Sequence, residues 1–127
     1  MARLILLDTD VLVDFFRGHG KAVAFINTYN ARIILSSIVV AELYAGVKGN
    51  AEQAALRDFV SLFRVVPVNA EIGRAGGLYK RDYGKSHGVG LADAIQAATA
   101  EAENAELKTL NIKHYPMLKG LRPAYNK

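Results

Sequence analysis

Short apolar runs alternate with amphipathic stretches along the whole chain. Leu4-Ile5-Leu6-Leu7 is a continuous apolar run that stops at Asp8, as expected of a strand covered on both faces in a parallel sheet. Thr9 or Asp10 can cap a helix over residues 11–17, which Gly18 ends. Residues 21–29 form a second, short helix. Ile33-Ile34-Leu35 is the second strand, and Ser36-Ser37 supply capping hydroxyls for a helix over residues 38–47 that stops near Gly49. Residues 52–63 continue helically, with Ala55, Leu56, Phe59, Val60 and Phe63 at suitable spacing. Val65-Val66-Pro67-Val68 is the third strand. Residues 71–83 predict a weaker helix, because Gly73, Gly76 and Gly77 lower its propensity. Residues 91–103 form an Ala-rich helix, residues 107–110 the last strand, and Pro116 interrupts regular structure beyond it. Strands alternating with helices predict an α/β three-layer sandwich with a small, mainly parallel central sheet. Residues 84–90 and 119–127 are the only loose-looking stretches.

A chain of 127 residues, 51% hydrophobic, fits one domain over residues 1–127 with a real core. There is no internal repeat and no low-complexity segment. The absence of cysteine excludes disulfides, thiolate metal sites and cysteine nucleophiles, and is compatible with a reducing compartment. No apolar run approaches the roughly 20 residues needed to cross a bilayer. Met1-Ala2-Arg3 before the first apolar run has the look of a signal peptide, but Asp8, Asp10 and Asp14 interrupt it too early. A cytoplasmic protein with no membrane partner is expected. Sixteen Lys and Arg against twelve Asp and Glu give a net charge of +4. That excess assists binding to a polyanion but by itself describes an ordinary basic surface.

Charge placement is more informative than charge balance. In open α/β sheets, sites form at the carboxyl ends of the strands. Asp8 ends the first strand, and Glu42 lies little more than a turn into the helix after the second. Asp93 begins the Ala-rich helix, and Asn111 and His114 follow the last strand. Helical neighbours of Glu42 are Ile38, Val39, Ala45 and Gly46, which puts an acid on an apolar, small-residue face. A charge buried there needs a basic side chain or a bound cation, and both remain open. Asp93 taken alone is a helix cap or first-turn acid, and Asp8 alone is a turn cap. Asp10 is open to either a structural or a catalytic role. Asp14 is expected to be solvated or paired with Arg17. Taken together, acids at one sheet edge repel each other unless a cation sits between them. Mg²⁺ and Mn²⁺ favour such hard oxygen ligands, with waters completing the shell. That arrangement suits phosphodiester hydrolysis, because the metal lowers the pKa of a bound water and shields the phosphate.

Four segments carry a family resemblance. Leu6-Leu7-Asp8-Thr9-Asp10-Val11-Leu12, Val40-Ala41-Glu42-Leu43-Tyr44-Ala45-Gly46, Leu91-Ala92-Asp93-Ala94-Ile95-Gln96-Ala97-Ala98 and Leu107-Lys108-Thr109-Leu110-Asn111-Ile112-Lys113-His114-Tyr115 occur in order over nearly the whole chain. They resemble the motifs of PIN-domain proteins, specifically VapC-type toxin ribonucleases of toxin–antitoxin pairs. The resemblance implies a metal-dependent endoribonuclease acting on single-stranded or loop RNA (transfer, ribosomal or messenger), with Asp8, Glu42 and Asp93 as the acidic metal-site residues. It further implies a homodimer and a cognate antitoxin whose segment covers the site. His114 stands where the last motif often carries a fourth acid, and neutral imidazole cannot supply the missing charge. Thr9 is expected to reach the site through its hydroxyl, and Asn111 to orient ligands. Lys80, Arg81, Lys85, Lys108 and Lys113 are candidate phosphate contacts.

Two other readings compete. Asp8-Thr9-Asp10 after an apolar strand resembles the nucleophile motif of haloacid-dehalogenase-like phosphatases, with Asp8 as nucleophile and Asp10 as acid/base. The chain is short for that fold and lacks paired late aspartates. A non-catalytic module is the other reading, either a phospho-receiver or an RNA-binding PIN fold.

Overall fold

The computed structural model describes residues 2–127; Met1, where the expected single domain begins, lies outside the described residues. The elements are β1 (Ile5–Leu7), α1 (Thr9–Phe16), α2 (Gly20–Tyr29), β2 (Ile33–Ser36), α3 (Ser37–Ala45) and α4 (Gly49–Val60). They continue with β3 (Arg64–Val66), α5 (Ala70–His87), α6 (Leu91–Ala102) and β4 (Glu106–Lys108). Single 3-10 turns occupy Asn30–Arg32 and Ile112–His114. The four strands are all parallel in the order β3-β2-β1-β4.

Strand residues alternate between two cores. Leu6, Ile34, Val66 and Leu107 face a cluster built with α5 and α6. Ile5, Leu7, Ile33 and Leu35 face a second cluster built with α1 to α4. Both faces of the sheet are therefore covered, which is why the strands are apolar runs rather than alternating ones. The three-layer α/β expectation holds, with the sheet entirely parallel.

The topology also creates the site. From β1 the chain moves outward to β2 and β3. It then crosses back through α5 and α6 to place β4 on the other side of β1. The winding direction reverses between β1 and β4, and ligand crevices open at such a reversal, beyond the carboxyl ends of the strands. Asp8 leaves β1 at that point and Thr109 leaves β4 beside it.

Local expectations needed several corrections. The cap of α1 is Asp8, whose Oδ1 accepts a hydrogen bond from Thr9 N at 2.8 Å; Thr9 and Asp10 are already helical. β3 stops at Val66, because Pro67 has no N–H to offer the ladder. Gly49, expected as a stop, begins α4 with a φ of +79°. β4 covers Glu106–Lys108 rather than residues 107–110.

Two segments expected to be loose are ordered. α5 runs through Gly84 to His87 and ends at Gly88, which has a φ of +65°. Its Ala75, Tyr79 and Tyr83 pack on the core, and that burial outweighs the low propensity of its glycines. Gly76 is needed for the close crossing of α5 and α6, since a Cβ there would come within 2.9 Å of Ile95 Cγ1 and 3.0 Å of its Cα. The tail folds back as well. Ala124 N donates to Thr109 O at 3.0 Å, and the Tyr125 ring stacks on His19.

Asp14 is accordingly neither solvated nor paired with Arg17. It is buried, accepting from the Tyr125 hydroxyl at 2.7 Å and from Lys127 Nζ at 3.1 Å. The tail supplies its partners from the far end of the sequence. Among the described residues no helix is long and apolar enough to cross a membrane.

Candidate active site

Asp8 sits at the reversal point, held by its backbone and by both carboxylate oxygens. Its N–H continues the ladder to Lys108 O at 3.0 Å. Oδ1 accepts from Thr9 N, and Oδ2 accepts from the Thr109 hydroxyl at 2.8 Å and the Tyr115 hydroxyl at 2.7 Å. Thr9 extends the other way, donating its hydroxyl to Glu42 Oε1 on α3 at 2.7 Å. Asp93 comes from the first turn of α6. Its Oδ1 lies 3.2 Å from the same Tyr115 hydroxyl, and its Oδ2 lies 3.3 Å from His114 Nδ1. One turn further along α6, the fully buried Gln96 donates Nε2 to Leu7 O at 2.8 Å. That bond ties α6 to the end of β1 and so fixes Asp93 against Asp8. Among the described residues the amide oxygen of Gln96 has no hydrogen-bond partner.

Of the residues expected at the site, Asp8 after β1, Asp93 on α6 and His114 in the turn after β4 come together, and Glu42 on α3 bonds to Thr9, the residue after Asp8. Asp10 and Asn111 do something else. Asp10 Oδ1 accepts from Val11 N at 2.7 Å, and Oδ2 accepts from Leu110 N at 2.9 Å. The Thr109 hydroxyl and Asn111 Nδ2 reach the same Oδ2 at 3.2 and 3.3 Å. Asp10 therefore staples α1 to the loop after β4, and Asn111 bonds to that staple rather than to the acid cluster.

The expected environment of Glu42 was wrong. Its carboxylate is exposed: Val39 packs into the core, but Glu42 lines an open groove together with Leu43 and Gly46. This groove, of about 610 Å³, starts at Thr9 and Glu42 and runs over Val13, Leu43, Val47 and Leu56.

Three site residues were missed as contributors. Thr109, Tyr115 and Gln96 lie inside segments singled out by sequence, but nothing local marks a hydroxyl or amide as turned inward. Of the candidate basic residues, Lys80 donates to Val89 O at 2.9 Å, Arg81 pairs with Asp82, and Lys108 pairs with Glu106. Among the described residues, Lys85 and Lys113 form no ion pair.

The neighbouring charges act on one another's protonation. Burial raises Asp93 above its ordinary value, with the charge of Asp8 next and Glu42 adding to it; Tyr115 and His114 work the other way. Burial and then Asp8 likewise raise Asp10, against the Leu110, Val11 and Thr109 hydrogen bonds. Burial and the two acids hold Tyr115 far above the usual phenol range, so its hydroxyl stays a donor.

Elsewhere the shifts are opposite. Burial pushes Asp14 up, but Tyr125 and Lys127 outweigh it and hold it below the usual range. Glu106 is lowered, chiefly by its bond to Lys108, against a smaller effect of burial.

A pH dependence follows. Raised Asp10 and Asp93 bind more protons in the folded than in the unfolded chain, so stability falls as pH rises through their folded values. Lowered Asp14 and Glu106 bind fewer, so their contribution is lost as pH falls below the ordinary carboxylate range. Thermal unfolding without divalent ions should therefore peak on the acid side of neutrality. A midpoint that only declines from pH 7 downward contradicts this.

The donor set is one of hard oxygens. Among the described residues no Lys or Arg lies at ion-pair distance from Asp8, Glu42 or Asp93. Nor, among the described residues, does any group of three or more Asp, Glu or His side chains stand close enough together to hold a metal ion. Such a set fits a divalent ion held directly by one or two carboxylates that keeps several waters, and does not fit an all-protein cage. Part of the work expected of a cation is done by hydroxyl protons: Thr109 sits between Asp8 and Asp10, and Tyr115 between Asp8 and Asp93.

Known proteins resemble this arrangement over the full fold. The PIN domain family matches residues 5–115. The chain is 39% identical over 124 residues to the ribonuclease VapC19 of Mycobacterium tuberculosis, covering 94% of this chain and 98% of that protein. It is 34% identical over 125 residues to the ribonuclease VapC10 of the same organism, covering 96% and 93%. A solved toxin–antitoxin complex from Klebsiella pneumoniae superimposes with a TM-score of 0.83 at 25% identity, covering 97% of this chain and 99% of that one. VapBC2 of Rickettsia felis, bound to a promoter DNA fragment, gives 0.75 at 28% identity, with 93% and 95% covered.

Proposed function

The chain belongs to the PIN-domain family, and from that premise we propose that it is a divalent-metal-dependent endoribonuclease, the toxin of a VapC-type toxin–antitoxin pair, with Asp8, Glu42 and Asp93 as its working acids. One observation carries the assignment of the acids. Asp8 and Asp93 share the Tyr115 hydroxyl at the reversal of the sheet, Glu42 is bound to the neighbouring Thr9, and among the described residues no lysine or arginine pairs with any of the three. Like charges gathered without a countercharge are unfavourable unless function requires them.

Asp8, Glu42 and Asp93 would hold Mg²⁺ or Mn²⁺, partly through water. When bound, the ion supplies an activated water and offsets charge on the scissile phosphate. The chain's own contributions are positional. Gln96 fixes Asp93 beside Asp8, Thr9 holds Glu42 toward Asp8, and Thr109 orients the Asp8 carboxylate. His114, against Asp93, stands where it can donate to a phosphate oxygen or a water. Lys113 next to it is free to contact the RNA backbone.

RNA is the substrate and arrest of translation the consequence, with transfer, ribosomal or messenger RNA as the candidate classes. A cognate antitoxin is the natural occupant of the apolar groove leading to Glu42, in keeping with the complexes the fold resembles. A homodimer of single-domain chains working in the cytoplasm completes the reading. The phosphatase alternative loses its acid/base, because Asp10 is committed to Leu110 N and Val11 N.

Glu42→Gln and Asp93→Asn proteins should cleave a mixed RNA pool at least about 10²-fold more slowly with Mg²⁺ or Mn²⁺, beyond the 10–100-fold usual for outer-shell partners. Undiminished cleavage would remove these acids from the site. Tight RNA binding by the unsubstituted protein, without metal-stimulated turnover, would favour a binding-only module.

A further inference from the structure

We propose that Tyr115 is the positioning residue of the acid cluster: its buried hydroxyl ties the carboxylate after β1 to the carboxylate on α6 and holds both in the orientation that receives the divalent ion. This rests on the assignment of Asp8 and Asp93 as metal-site acids.

Tyr115 is 1% exposed, and its ring sits in the core cluster with Val89, Ala94 and Met117. A hydroxyl at that depth needs a partner. The partners it has are Asp8 Oδ2 at 2.7 Å and Asp93 Oδ1 at 3.2 Å. A phenol carries one proton, so that proton is shared between two like charges, with the shorter leg to Asp8. The hydroxyl thus relieves their repulsion and sets their spacing, while the packed ring keeps it in place.

The two acids depend on it unequally. Asp8 keeps Thr9 N and the Thr109 hydroxyl if Tyr115 is lost. Among the described residues Asp93 then keeps only His114 at 3.3 Å, and its side chain is 30% exposed and free to turn toward water. Without the tyrosine hydroxyl, the unrelieved charge of Asp8 drives Asp93 outward. An incoming ion must then pull the site back together, and its affinity falls. Outer-shell partners of metal ligands are typically worth 10–100-fold in affinity or activity.

Tyr115→Phe keeps the ring and removes only the oxygen. Mn²⁺ alone, titrated into metal-free protein and followed by loss of the free-ion electron paramagnetic resonance signal, should bind 10–100-fold more weakly than to the unsubstituted chain. At limiting Mn²⁺ the variant's kcat on RNA should fall with KM unchanged, and saturating Mn²⁺ should restore kcat. A purely structural tyrosine would lower the thermal midpoint while leaving Mn²⁺ affinity alone. Equal or tighter Mn²⁺ binding overturns the proposal.

A measurement on the unsubstituted protein guards against a variant that does not fold. The Tyr115 hydroxyl proton should give a slowly exchanging, low-field NMR resonance that moves as Mg²⁺ is added. A resonance indifferent to Mg²⁺ also overturns it. If Glu42→Gln and Asp93→Asn retain full cleavage, the site assignment itself has failed. If they lose it while Tyr115→Phe binds Mn²⁺ normally, only the role of Tyr115 has.

Discussion

Asp8→Asn is expected to lower metal-dependent RNA cleavage by at least about 10²-fold while leaving the folded protein as stable as before, or slightly more so. The amide is nearly isosteric with the carboxylate, and its oxygen can still accept from Thr9 N, so the cap of α1 survives. Its NH₂ group would face the Thr109 and Tyr115 hydroxyls, both of which can accept and turn their own protons toward Asp10 and Asp93. The site loses one of the charges that a divalent ion requires and one source of the repulsion that raises Asp10 and Asp93. Activity and stability therefore move apart, as they do where a site is held under electrostatic strain. Turnover on a mixed RNA pool and a thermal melt of the metal-free protein read the two quantities separately. Full activity, or a melt lowered by many degrees, would contradict this account of Asp8.

Asp10→Ala should have the reverse signature, with its main effect on stability. Asp10 is the acceptor for Leu110 N in the loop after β4 and for Val11 N in the first turn of α1. It also takes hydrogen bonds from Thr109 and Asn111. Truncation leaves the part-buried Leu110 N–H without a protein partner. Hydrogen bonds to charged groups and orphaned donors are each worth about 1–3 kcal/mol. Relief of the repulsion with Asp8 offsets part of the loss, giving a net cost of roughly 2–4 kcal/mol and a fall of roughly 10 °C in the thermal midpoint. Asp10→Asn keeps an acceptor oxygen and should fall in between. Because Asp10 bonds to Val11, Thr109, Leu110 and Asn111 and the Tyr115 ring is held separately in the core, loss of cleavage by Asp10→Ala should track loss of the folded fraction. An alanine variant that melts with the parent yet cleaves no RNA would make Asp10 a participant in the chemistry instead.

Much of this protein was written into local sequence. Apolar runs of three or four residues between helical stretches require strands covered on both sides, and only a parallel α/β layering provides that. Leu4-Ile5-Leu6-Leu7 ending at Asp8, and the helices carrying Glu42 and Asp93, also set which end of the sheet bears the acids, because a parallel sheet brings all strand ends of one kind to one edge. Features that depend on partners distant in sequence were not legible. The exposure of Glu42 depends on how α3 and α4 splay to leave a groove. The burial of Asp14 depends on Tyr125 and Lys127, and the order of residues 84–90 on the packing of Tyr79 and Tyr83.

The strand order and the inward hydroxyls belong to tertiary structure as well. Periodicity records which face of an element is apolar, but it carries no information on which side of β1 the fourth strand settles. That single choice brings the Thr109 and Tyr115 hydroxyls onto the Asp8 carboxylate. Local sequence carried the layers, the sheet edge and the identity of the carboxylates. Only folding decided what keeps those carboxylates together, because a hydroxyl gains its meaning from the charge it reaches across the sheet.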